Sequence, residues 1–122
     1  MYFFETEGCH YKCDGKELLL RKNQLAVVNG GDLHSCNEWG TGCRAVCLVV
    51  DVKRLALPLL LPLKFENKMQ DDGRIKAILE DLQSTLRENP PPPLLDCLVF
   101  SAVYSLLGLL TPFASPKEKN GL

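Results

Sequence analysis

The sequence predicts a mainly β domain, a sandwich or barrel of short strands, followed by two packed helices. Three observations carry that expectation. Up to residue 52, β-prone runs alternate with Gly and Asn turns at close spacing. From Asp71 the apolar period switches from 2 to about 3.6. Prolines at 90–93 then separate two helical stretches. At 122 residues the chain suits one domain. Its 46% hydrophobic and 24% charged content belongs to a folded chain rather than a disordered one. A net charge of −1 argues against strong nonspecific binding to nucleic acid, which needs a basic surface.

Residues 2–6 are aromatic and β-prone and end at Glu7-Gly8. Residues 9–13 and 16–21 flank Asp14-Gly15, a strong hairpin signal because a type I′ turn needs positive φ at both central positions. After Lys22-Asn23, residues 24–29 read as a strand with a buried surround, Gly30-Gly31 reverses the chain, and residues 34–39 form a polar strand. Residues 43–52 have the richest β-branched content and read as the best strand. Residues 56–63 are apolar but broken by Pro58 and Pro62, so they suit a connector, and residues 64–69 add an edge strand.

In the first helix Ile75, Leu79, Leu82 and Leu86 step by 4, 3 and 4, with charges on the remaining face. This coiled-coil-like seam is a candidate dimer interface, since two-fold dimers are the commonest assemblies. Residues 94–110 are apolar almost all round; at about 1.5 Å per residue they reach only about 25 Å, short of a 30 Å hydrocarbon core. They therefore read as a buried packing helix, with no membrane span. The expected organisation is a β-domain over 1–69, a two-helix element over 70–112 and a linker or tail over 113–122.

The stretch Val-Val-Asn-Gly-Gly-Asp-Leu-His-Ser, residues 27–35, resembles the second cupin motif of the amino-terminal domains of arabinose-type (AraC-type) transcription regulators. Gly31 and His34 match the family's glycine and histidine, whereas Asn23 and Asn29 stand where glycine and proline are usual. The run Phe4-Glu5-Thr6-Glu7-Gly8, the Asp14-Gly15 hairpin and Leu18-Leu19-Leu20 are similar to the preceding strands, and the two helices to the family's dimerisation element. The resemblance implies a cupin-like β-barrel (double-stranded β-helix or jelly roll), a small-molecule effector such as a sugar, and a homodimer. It also implies DNA contact only through a helix-turn-helix domain, for which nothing after Ser115 has the length. The alternative is a stand-alone small cupin, either a metal-dependent enzyme or a sugar-binding module.

The residues favour binding over catalysis. Tyr11, His34, Trp39 and Arg44 supply stacking faces, donors and a fixed cation, the few polar anchors an otherwise apolar pocket needs. No metal site or cofactor is expected: Cys36 stands two residues after His34 where a metal cupin would carry clustered histidine and glutamate. Cys9 and Cys13, like Cys43 and Cys47, are four apart, about 13 Å along a strand and too far to share a zinc ion. His34 and Cys36 lack an orienting residue for thiol catalysis, so no catalytic set is assigned. Glu5 interrupts the amino-terminal apolar run before a secretory segment forms, so the six cysteines read as reduced thiols in a cytoplasmic protein. Opening on Tyr2-Phe3-Phe4 suggests that the chain is a domain excised from a longer protein.

Overall fold

The computed structural model describes residues 1–5, 9–13, 15–30, 32–38, 44–51 and 63–116, with backbone alone at 35–38. The strands are β1 (Tyr2–Phe4), β2 (Cys9–Cys13), β3 (Lys16–Leu20), β4 (Gln24–Ala26), β5 (His34–Glu38), β6 (Ala45–Cys47), β7 (Leu63–Phe65), β8 (Lys68–Gln70) and β9 (Ala114–Pro116). The helices are α1 (Arg74–Glu88) and α2 (Pro92–Leu110), and a 3₁₀ turn covers Thr111–Phe113. The chain divides into two compact units, Met1–Gln70 with Phe113–Leu122, and Asp71–Pro112.

In the first unit the strands form three antiparallel sheets, ordered β6-β1-β4-β8, β3-β2-β5 and β7-β9. This corrects the expected closed cupin-like barrel: among the described residues there are two helices and several small sheets, a mixed α/β architecture. Closure would require every strand to be hydrogen-bonded on both sides. Here, among the described residues, strands of three to five residues are shared among separate sheets, and the two larger ones end at β3, β5, β6 and β8.

Residues 43–52, expected as the best strand, are strand only over Ala45–Cys47 within their described part. Among the described residues β6 pairs with β1 alone, and that partner is three residues long. Val49 is therefore left exposed despite its β propensity, which reflects packing context more than intrinsic preference. The connector expected within 56–63 lies outside the described residues up to 62, as do Thr6, Glu7, Gly8 and residues 117–122.

The hairpin forms as expected. Cys13 faces Lys16 across the two-residue loop, and Gly15 takes φ 77°. Asn23 takes φ 65° at the next turn, where the Gln24 N–H donates to the Arg21 carbonyl at 3.1 Å. Asparagine tolerates this left-handed conformation better than most side chains do, so it serves where the resembling family uses glycine. Across the two larger sheets, Phe4 and Ala26 pack with Cys9, Tyr11, Cys13 and Leu20 in one core.

Cys9 is disulfide-bonded, which corrects the reading of six reduced thiols; its partner lies outside the described side chains. Cys13, Cys47 and Cys97 are reduced, the first buried and the others exposed. The lack of a secretory segment argued for reduced thiols, but a disulfide needs only that two Cβ atoms meet in space.

In the second unit the helices pack as a hairpin joined at residues 89–91. α1 starts three residues later than the acidic pair at Asp71 and Asp72, because Asp71 serves as its cap from outside. Its carboxylate accepts from the Ile75 and Lys76 N–H groups, each at 3.0 Å, and the side chain is buried. Asp71→Ala should cost about 1 kcal/mol, the usual worth of a lost amino-terminal cap, measurable as a lower urea midpoint at unchanged slope.

α2 begins two residues before the expected Leu94, since Pro92 and Pro93 occupy first-turn positions whose N–H groups need no helical partner. Of α2 only one face is buried, at Val103, Leu106, Leu107 and Leu110, so the expectation of a helix buried all round is corrected. The stretch Pro92–Phe113, 22 residues with mean hydropathy 1.9, is long and apolar enough to cross a membrane by length and composition alone.

Candidate functional site

Strand β2 alternates buried and exposed positions, which puts Cys9, Tyr11 and Cys13 on the core side. On its partner β5, Cys13 is opposite His34 and Tyr11 is opposite Cys36, so His34 is a diagonal neighbour of Tyr11. Diagonal positions on an antiparallel pair lie within reach of long and aromatic side chains. The Tyr11 Oη and His34 Nδ1 atoms are 2.8 Å apart, with the two rings stacked at 6.1 Å and 18°. A register shift between His10 and Tyr11 marks a bulge beside the pair, the kind of irregularity that re-aims side chains. Tyr2, from the other large sheet, brings its ring to 5.5 Å from Tyr11 and 6.3 Å from His34.

With the phenol assigned as donor, neutral His34 carries its proton on Nε2. Tyr11 is buried and His34 exposed, so the cluster combines a fixed inner anchor with an outward N–H and aromatic faces. That combination can orient a small polar ligand by stacking and one or two directional hydrogen bonds.

The turn ahead of His34 is held by a compact polar network. The Asp32 N–H donates to the Asn29 carbonyl at 3.0 Å, closing the turn foreseen around Gly30-Gly31. One Asp32 oxygen, Oδ2, accepts from the Asn29 N–H at 3.0 Å, Asn29 Nδ2 at 3.2 Å and Asn67 Nδ2 at 3.1 Å. Burial opposes ionisation of this carboxyl, but the bonds from Asn29 and Asn67, with the charge of Lys64, outweigh it and hold its pKa below the ordinary value. The Asn29 amide also pairs with the backbone of Phe65, accepting from its N–H at 2.7 Å and donating to its carbonyl at 2.8 Å. A proline, usual at this position in the resembling family, can make neither bond.

Of the residues singled out for ligand binding, Tyr11 and His34 come together. Arg44 is exposed, its carbonyl accepting from the Glu5 N–H at 2.9 Å, and Trp39 lies outside the described residues. Of the candidate dimer seam, Ile75, Leu79 and Leu82 are buried within the chain, and Leu86 is 54% exposed. Among the described residues no three His, Cys, Asp or Glu side chains are grouped to hold a metal ion. Sequence reasoning passed over Tyr2, whose only signal was an aromatic residue in a strand-like run. It also passed over Asn67, which nothing local connects to Asp32.

Comparison with known protein families, curated proteins and solved structures finds no match to the chain. The resemblance to AraC-type regulators therefore rests on the quoted residues.

Proposed function

We propose that the chain is the effector-sensing and dimerisation domain of a transcription regulator of the AraC type, acting without chemical catalysis. The observation that carries the sensing role is the hydrogen-bonded Tyr11–His34 pair with Tyr2 beside it. On this reading the effector is a small hydroxyl-bearing molecule such as a sugar. It stacks on the aromatic faces and accepts from His34 Nε2. Binding regulates only if the effector's affinity differs between two states of the protein. Operator contact belongs to a helix-turn-helix domain, and pairing of subunits to the helical unit.

A thermal-shift screen with sugars, small organic acids and amines tests the sensing role. A ligand at 100 times its Kd should stabilise the native state by about 2.7 kcal/mol. The shift should vanish in His34→Ala and shrink in Tyr11→Phe. No shift with any class, or one that survives loss of His34, would remove the sensing role.

A further inference from the structure

Resting on the dimerisation part of that reading, we propose that a second copy of this chain docks on the outward face of α2 rather than on the α1 seam. The seam is largely spent: Ile75, Leu79 and Leu82 are buried within the chain. The outward half of α2 is a different surface. Leu94 and Leu98, 50% and 41% exposed, make one ridge at i, i+4 spacing. Phe100 and Tyr104, 46% and 41% exposed with rings stacked at 6.4 Å, make another. Helical geometry runs the row of Cys97, Ser101 and Ser105 between them, all exposed, and Gly108 continues the Phe100–Tyr104 row. A Cβ added at Gly108 would meet nothing within 4 Å.

Two ridges flanking a furrow of small side chains are self-complementary, because a ridge of one copy fits the furrow of the other. Interdigitated i±4 ridges cross at about 50°. Charge permits the pairing: α2 carries one charged residue, Asp96, which helical geometry puts beyond Phe100 from the furrow. Area permits it too. Large side chains cover about 200 Å² each, so the four ridge residues present on the order of 350 Å² per copy. With the furrow added, a two-fold pair approaches the ~1,000 Å² that a specific interface needs. A bilayer is the poorer occupant, since α1 packs along α2 and carries Lys76, Glu80, Asp81 and Arg87 on exposed positions.

The test is sedimentation of the full chain over concentrations up to about 100 µM, well above a micromolar Kd. The wild type should be dimeric. Ser101→Arg, at an exposed position, should weaken the dimer roughly 30-fold or more, as loss of an interface hot spot does, with helix content and melting temperature unchanged. Ser105→Arg, at another exposed furrow position, should do the same, while Leu86→Glu should leave the dimer intact. A dimer that survives Ser101→Arg but dissociates in Leu86→Glu would overturn this face and leave the dimerisation reading standing. A wild type monomeric throughout would overturn both. Flotation with phosphatidylcholine vesicles that Ser101→Arg abolishes would make the occupant a bilayer and overturn the proposal.

Discussion

Asn29→Ala should destabilise the protein by about 2–4 kcal/mol, because it strips partners from several groups at once and each buried polar group left unsatisfied costs about 1–3 kcal/mol. The Phe65 N–H and carbonyl lose the Asn29 amide, and Asp32 loses the Asn29 side-chain donor. Against a typical total of 5–15 kcal/mol that is a large fraction. Urea unfolding at neutral pH measures it; a change within about 0.5 kcal/mol, the range of an ordinary surface substitution, would mean that the network does not hold the turn.

The same network predicts a pH signature. Asp32 has a native pKa below its unfolded value of about 4. Its stabilising contribution is therefore fully present above about pH 4 and is lost as pH falls through the native value. Asp32→Asn should be less stable than wild type at pH 7, with the gap narrowing below about pH 4. A gap of constant size from pH 7 to pH 3 would assign the effect to packing.

Reduction of the disulfide at Cys9 should lower stability by about 2–4 kcal/mol. At roughly 4 °C per kcal/mol for a chain of this size, the melting temperature falls by about 8–16 °C. Cys9 is wholly buried in the first-unit core, so the reductant acts only as the structure opens, and equilibration should precede the melt. Cys9→Ser should be insensitive to reductant, whereas Cys97→Ser, which removes an exposed reduced thiol, should retain the full response. A melt unchanged by reductant would show that the bond does not constrain the unfolded chain. The disulfide also bears on compartment. The cytoplasmic expectation rested on the interrupted amino-terminal apolar run, and reduced cysteines were its consequence; a disulfide at Cys9 does not agree with that consequence, because such bonds persist in oxidising surroundings.

Much of the local structure was legible in the sequence. Asp14-Gly15 marked the hairpin because the turn's φ requirement is local, and Gly15 at φ 77° meets it. The apolar period after Asp71 marked α1 because 3.6-residue spacing is a property of one helix. Asn29 to Asp32 was legible as a turn for the same reason, and Tyr11 and His34 stood out as candidate ligand-binding residues by their chemistry. Their contact was not, since it depends on the register of β2 against β5 across 23 residues.

Only the tertiary structure decided how the strands divide into sheets, that the Asn29 amide bonds Phe65 36 residues away, that Cys9 finds a partner, and which face of α2 stays outward. Each of these depends on surfaces meeting from distant parts of the chain. The individual strands and the two helices followed from patterns within single elements, while closure into a barrel depends on how strands from distant parts of the chain pair.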